Sequence, residues 1–278
     1  MPCLLSLRKF VKYELPIKLL STDFDGTLFS GFDYPPVPRS LQAKIAELQA
    51  QGAKWMINTG RDLTGLMEIM ARSHLTIKPD YLGCVEREIY VHDGKRYTSL
   101  SEWNDACTRS QAEVFSRIRE DLPQIIAWVN QHFDATVYED IYSPFCLVAE
   151  NNPDADKIVA YVEDYCQRIP KLTIVRNDVY ARLSHTDFNK GSVVTEVARR
   201  LGLTSEQVFV AGDHFNDLPM LQIGRARWLA APENAVDEVK HAVLQQGGYV
   251  SQHPSGRGTL DGLLACLKAA GYASPSPT

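Results

Sequence analysis

The chain has 278 residues, 45% of them hydrophobic and 23% charged, with 29 basic against 34 acidic side chains and a formal net charge of −5. That length holds one large domain or two smaller ones with a real core, and the composition excludes intrinsic disorder over most of the chain. No apolar run approaches the ~18 residues of a spanning helix, and no Lys/Arg run supplies the clustered charge that captures nucleic acid. Neither a membrane nor nucleic acid is expected as a partner; a small molecule is.

The six cysteines, Cys3, Cys84, Cys107, Cys146, Cys166 and Cys266, include no C-x-x-C pair and no His at zinc-ligand spacing. They read as free thiols in a reducing compartment, so the expected location is cytoplasmic. Met1 to Leu20 carries Arg8, Lys9, Lys12 and Lys18, and forms neither an unbroken apolar stretch nor a small-residue cleavage site. No secretory leader is expected, and a core strand beginning by Ile17 leaves little room for a transit peptide.

In chain order, Ile17 to Phe24 is a near-continuous apolar strand ending in acid and glycine. Arg39 to Gln51 follows as a helix with Leu41, Ile45 and Leu48 on one face, stopped by Gly52. Strand Lys54 to Asn58, a helix from Leu63 to Arg72 and a buried strand from Tyr81 to Val85 come next. Asp93-Gly94 marks a hairpin between Glu88 to His92 and Lys95 to Leu100. The texture then changes to helix (Ala106 to Phe133, broken near Pro123), strands (Ala135 to Glu139 and Phe145 to Glu150), helix (Asp154 to Arg168) and strand (Leu172 to Arg176). Runs of like elements suit an inserted α+β unit. From Val179 the alternation returns: strand Tyr180 to Ser184, helix Gly191 to Leu201, strand Val208 to Ala211, helix Asp217 to Ile223 and strand Arg227 to Ala230. Ser274 to Thr278 reads as a frayed end.

Four polar clusters follow apolar strands. Asp23-Phe24-Asp25-Gly26-Thr27 places two carboxylates on a strand-end loop, where open α/β sheets bind ligands and where two acids can converge on a cation. The same residues suit an ordinary polar turn. Thr59-Gly60-Arg61 offers a hydroxyl and a glycine amide to a phosphate at a helix start, although Thr59 or Asp62 would serve equally as a plain cap. Lys190 opens a helix in Asn189-Lys190-Gly191-Ser192, where a lone lysine is commonly just solvated. Gly212-Asp213-His214-Phe215-Asn216-Asp217 repeats the chemistry of the first cluster.

In the order acid pair, hydroxyl, lysine, acid pair, these clusters resemble the haloacid dehalogenase-like hydrolase superfamily. The resemblance implies an α/β fold, a Rossmann-like parallel sheet core with helices on both faces plus an inserted α+β cap domain. About 130 residues separate Thr59 from Lys190, more than one βα unit requires, so the cap is expected between the second and third motifs. The division expected is 1–100 and 178–278 for the core and 101–177 for the cap. That arrangement resembles the Cof-type and sucrose-phosphatase-like branch. Pro79 to Tyr90 is similar to stretches reading Asn-Gly-Ala in the first group and Val-Gly-Thr-Glu-Ile in the second; Glu86-Arg87-Glu88 departs from the first pattern and only partly fits the second.

The resemblance implies a magnesium-dependent phosphatase acting on a small phosphorylated metabolite, a sugar phosphate, through an aspartyl-phosphate. Asp23 is the implied nucleophile and Asp25 the acid and base. Thr59, Gly60, Arg61, Lys190 and Asn216 are the implied phosphoryl or substrate contacts. Mg2+ is implied on Asp23, on Asp25 through its backbone carbonyl, and on Asp213, with Asp217 completing the site or orienting Lys190. Arg87, Arg176, Arg182 and His185 lie near strand ends or the hinge, and His214 and Phe215 are placed to shape the pocket. The alternatives are a phosphomutase of the phosphomannomutase type and a non-catalytic binding module. A monomer or homodimer is expected.

Overall fold

The computed structural model describes residues 15–272; Cys3, the expectation about a leader before Leu15 and Ser274 to Thr278 lie outside the described residues. In chain order the elements are β1 (Leu19–Thr22), α1 (Arg39–Ala50), β2 (Lys54–Asn58), α2 (Leu63–Arg72), β3 (Tyr81–Cys84), β4 (Glu88–His92) and β5 (Tyr97–Ser99). After them come α3 (Ser101–Ile118), α4 (Leu122–His132), β6 (Ala135–Tyr138), β7 (Cys146–Ala149), α5 (Asn152–Cys166), β8 (Leu172–Asn177) and β9 (Tyr180–His185). The chain ends with α6 (Lys190–Arg200), β10 (Val208–Ala211), β11 (Trp228–Ala231), α7 (Asp237–Gln245), β12 (Tyr249–Val250) and α8 (Ser255–Ala269).

β1 is buried at all four positions because the sheet is covered on both faces. Successive side chains point to opposite faces. Leu20 therefore joins Trp55, Ile57 and Phe209 under α1, α2 and α8, while Leu19 joins Met56, Val208 and Val210 under α6 and α7. Strand order is β12-β11-β10-β1-β2-β3-β4-β5, with parallel pairing from β12 to β3 and antiparallel pairing at β4 and β5. The neighbours β2, β1 and β10 thus deliver Thr59, Asp23 and Asp213 to one edge of the sheet.

The second sheet, β6-β7-β9-β8, is antiparallel and has its own core of Val114, Ile125, Phe145, Leu147, Ile158 and Leu183. Here one expectation is corrected. Tyr180 to Ser184 was read as a return to the core sheet, with the boundary at 178, yet β9 pairs with β7 and β8 in the cap sheet. The cause is local: Asp178, at φ 55, turns the chain so tightly that Asn177 and Tyr180 face each other, and the following strand must run back along β8. Lys190 consequently enters the site from a helix that leaves the cap, not from a core strand.

A second correction concerns Asp217 to Ile223. Only a 3-10 turn forms, over Phe215–Asp217. Pro219 has no N–H to continue a helix, and the Asp217 carboxylate is engaged by the Asp213 and His214 amides. The expected break near Pro123 falls at residues 119–121, with Pro123 in the first turn of α4. α7, β12 and α8 complete the core; α8 packs on β11 and α1 through Leu263, Cys266 and Leu267.

Candidate active site

Asp23 is the first residue past β1 and is 5% exposed. Its amide donates to the Ala211 carbonyl, extending the β1–β10 ladder by one step and fixing the carboxylate over the sheet edge. Lys190 reaches it from the start of α6, its Nζ donating to Asp23 Oδ1 at 2.7 Å and to Asp217 Oδ1 at 2.6 Å. Lys190 is held there by its helix. The Asn189 side chain caps α6 by accepting from Gly191 and Ser192 amides, and the Ser192 hydroxyl accepts from the Asn189 amide in return. Gly191 permits the approach, since a Cβ there would lie 2.1 Å from the Pro219 carbonyl oxygen.

Burial pushes the Asp23 carboxyl up, Lys190 opposes that shift, and the neighbouring Asp217 and Asp213 add to it. Burial disfavours the charge on Lys190, but Asp217 and Asp23 outweigh it and hold the ammonium protonated. Asp213 accepts from the Thr27 hydroxyl at 2.6 Å; burial first, then Asp217, pushes its carboxyl up to about 7.

Asp25 faces the other way. Its carboxylate takes a two-pronged bond from Arg61, with Nε and Nη2 each at 2.7 Å. The Thr59 hydroxyl is buried and accepts from the Arg61 amide at 3.2 Å, so the Thr59-Gly60-Arg61 turn is closed on itself. Asp62 is the side-chain cap of α2, accepting from Gly65. Asn216 donates from Nδ2 to Glu86 Oε1 at 2.8 Å, and its own Oδ1 is buried without a partner.

A cleft of about 580 Å³ runs between core and cap, with Asp23, Asp25, Thr59, Gly60 and Arg61 on the core wall and Tyr138, Tyr142, Tyr180, Asn177 and Arg182 on the cap wall. Lys190 and Asn216 instead border a second cavity of about 600 Å³ at the hinge. Cap and core meet at the root of α3, where Asn104 and Trp103 bond the Ile89 and Arg87 backbone, and at four further ties around the cleft and hinge among the described residues. Arg182 Nη2 donates to the Gly60 carbonyl at 2.9 Å, Arg87 Nη2 to the Tyr142 carbonyl at 3.0 Å, and the Asp178 amide to the His214 ring at 3.2 Å. The Arg176 guanidinium, ion-paired with Asp156, lies over the Phe215 ring. His214 and Phe215 therefore dock the cap and do not border the main cleft. His185 is buried and accepts from the Asp187 amide.

Sequence reasoning gave no role to Thr27, Glu86 or Asn234. Thr27 is in the first cluster itself and binds Asp213; Asn234 donates to the Gly26 carbonyl from a loop with no motif to announce it. Glu86 sits in the left-handed region at φ 67, directly after Val85 at φ 44. Two consecutive non-glycine residues in that conformation persist only where the surroundings over-determine them.

The acids fit a divalent cation. One carboxylate oxygen from each of Asp23, Asp213 and Asp217 lies within 4.8 Å of the others. Three crowded acids share one lysine, and the elevated Asp213 marks the uncompensated negative charge that a hard, oxygen-seeking cation neutralises. The Asp25 carboxylate is committed to Arg61, which leaves only its backbone for such a role. Among the described residues the five cysteines are buried and unpaired, and no helix is long and apolar enough to cross a membrane.

The fold and site define a doubly wound α/β enzyme with an acid-and-lysine centre under an inserted cap. The model of the haloacid dehalogenase-like hydrolases matches residues 86–253, more than half of the sequence, and the chain belongs to that family. Among curated relatives, a candidate phosphatase of Bacillus subtilis, YxeH, is 23% identical over 264 residues, covering 85% of this chain and 94% of the relative. A candidate phosphatase of Streptococcus pyogenes serotype M6 is 24% identical over 251 residues, 81% of this chain and 91% of its own. The sucrose-phosphatase of Synechocystis sp. PCC6803, solved with sucrose and phosphate, has a TM-score of 0.69 at 19% identity over 94% of this chain and 100% of that one. The haloacid dehalogenase-like yhjK protein of Bacillus subtilis has a TM-score of 0.60 at 17% identity, covering 94% of each. At those identities the solved structures share the fold.

Proposed function

We propose that the protein is a magnesium-dependent phosphatase that hydrolyses a small sugar phosphate through an aspartyl-phosphate on Asp23. The observation that carries this reading is the buried Lys190 bridging Asp23 and Asp217, with Asp23 itself opening onto a cleft that Asp25 and Thr59 also line. Lys190 occupies one oxygen of Asp23, leaving Oδ2 to attack phosphorus. The Thr59 hydroxyl and the Gly60 amide bind the phosphoryl oxygens, and Lys190 balances the charge that accumulates on them. Asp25 donates a proton to the leaving oxygen and, once the alcohol has gone, takes one from the water that cleaves the aspartyl-phosphate. Arg61 holds both Asp25 oxygens in this state, and freeing one of them while keeping the other lets the carboxyl carry the proton in both steps.

Asp23, Asp213 and the backbone of Asp25 would hold magnesium, which would supply the positive charge that lets a carboxylate approach a phosphate dianion. Asp217 serves this arrangement by holding Lys190 and the Asp213 amide.

Two features support a sugar as the leaving group. The cap wall presents three tyrosine rings with Asn177 and Asp178, an apolar surface edged by groups that bond hydroxyls. The Synechocystis relative in fold was solved with sucrose and phosphate.

The test is phosphate release from a panel of sugar, sugar-acid and cofactor monophosphates, with Mg2+ or chelator, for wild type and Asp23→Asn. Metal-dependent release confined to wild type, strongest on sugar phosphates, is expected. No release from any member by folded protein overturns the reading, and phosphoryl transfer between sugar positions primed by a bisphosphate would replace it with a mutase.

A further inference from the structure

If Asp23 receives a phosphoryl group, as the phosphatase reading on which this inference rests requires, the cleft holds one more cation placed to serve it. Arg182 stands on cap strand β9 and lines the cleft together with Asp23 and Thr59. Its Nη2 donates to the carbonyl of Gly60, the residue whose amide faces the phosphoryl group, at 2.9 Å. That nitrogen lies 3.7 Å from where a side chain on Gly60 would begin.

Arg182, unlike Arg61 and Arg176, has no acid of its own. Arg61 spends its fork on Asp25 and Arg176 is paired with Asp156. Glu86, which also reaches Gly60, is bound by the Asn216 amide. Among the described residues Arg182 makes no ion pair; its one side-chain bond is to a neutral carbonyl. The next cation, Arg87, is 3% exposed, and among the described residues its guanidinium meets the Tyr142 carbonyl and ring. Burial first, and then the like charge of Arg182, pushes the Arg87 guanidinium down. Two neighbouring guanidinium groups thus stand beside the phosphate-binding turn with no carboxylate hydrogen-bonded to either, the charges of Glu88 and Glu86 reaching Arg87 only through space. A guanidinium carries five N–H donors in a planar fork that matches two oxygens of a phosphate, and four remain on Arg182.

We propose that Arg182 is a catalytic residue supplied by the cap, whose free N–H groups donate to a non-bridging oxygen of the phosphoryl group bound at Thr59 and Gly60. Arg182 stays protonated throughout, and no bond to it forms or breaks. The donor set around the phosphoryl group is complete only while β9 lies against Gly60, so docking of the cap and stabilisation of the transferring charge are one event.

The experiment compares wild type, Arg182→Ala and Arg182→Lys on a hexose phosphate and on p-nitrophenyl phosphate, whose leaving group needs no sugar-binding contacts. Inhibition by orthovanadate is measured in parallel, and circular dichroism and melting temperature establish folding. Removing one such donor is expected to lower kcat by about 100-fold, on both substrates alike, to weaken orthovanadate inhibition, and to be partly reversed by added guanidinium in Arg182→Ala alone. Arg182→Lys, which keeps the charge without the fork, should lie between the two and decides the matter if Arg182→Ala does not fold. Unchanged turnover of p-nitrophenyl phosphate and unchanged orthovanadate inhibition, with only a raised KM for the hexose phosphate, overturns the proposal and makes Arg182 a leaving-group contact. Absence of turnover in wild type as well removes the phosphatase reading itself, and Arg182 falls with it.

Discussion

Lys190 is the side chain on which most of the site depends, because it is the single ammonium among Asp23, Asp213 and Asp217 and is 1% exposed. Lys190→Met leaves buried carboxylates without their partner, and breaking a buried pair from one side costs about 3–5 kcal/mol. Denaturant unfolding should show a loss of that size at neutral pH, shrinking in acid as the carboxyls protonate, together with loss of phosphate release. Asp213 gives a second test. Its folded carboxyl titrates at about 7, against an unfolded value of about 3.9. Between those two values the folded state keeps a proton that the unfolded state has lost, so the stability of chelated protein falls as pH rises from about 4 to 7 and then levels off. Melting temperatures across that range, with chelator and with Mg2+, should show the slope in chelator and its suppression by the cation. The charged residues at the site were named from the sequence because each stands in a short motif. Their pairings were not, since nothing local says that Arg61 turns to Asp25 and not to a phosphate, or that Glu86 takes the Asn216 amide.

At the scale of elements, each group of the proposed site is aimed by the start or end of a strand or helix, so changes to those termini should act on chemistry without touching a reacting atom. Asn189→Ala removes the cap of α6, at a cost of about 1 kcal/mol, and unseats Lys190 one residue away. Its expected result is that modest loss of stability with a disproportionate fall in kcat, read from unfolding curves and steady-state rates on the same sample. Gly26→Ala strains a left-handed residue at φ 73 and would set a Cβ 2.3 Å from Asp213 Oδ2. Displacement of Asp213 should weaken Mg2+ binding, which titration calorimetry measures directly. β2, α2 and β10 match the residue spans expected from apolar runs, and α1 closely, because burial on both faces writes unbroken runs into strands and a 3.6-residue stripe into helices. The turn at Phe215–Asp217 escaped that logic: its geometry is set by amide bonds to Asp217, which have no periodicity.

For the whole molecule, mechanism turns on how the cap couples to the core, and the ties around the cleft and hinge point to where it can be loosened. Arg176 touches neither the cleft nor the acids; it lies over Phe215 beside the Asp178–His214 contact. Arg176→Ala should therefore raise KM for a sugar phosphate several-fold while leaving kcat within about threefold, the pattern of lost uniform binding. A larger radius of gyration in small-angle scattering would show the cap released; an unchanged KM and radius would place the docking energy in the other ties.

The sequence by itself determined the parallel core, the existence of an inserted cap and the identity of the polar residues at the sheet edge, because strand and helix periods and strand-end motifs are local properties that burial imposes on neighbouring residues. Only the tertiary structure decided which sheet β9 joins, that Lys190 enters from a helix leaving the cap, and that Arg182 meets Gly60. Each of these depends on pairing between residues far apart in the chain, where the competing arrangements carry the same local pattern and differ only in the contacts formed once the whole chain has packed.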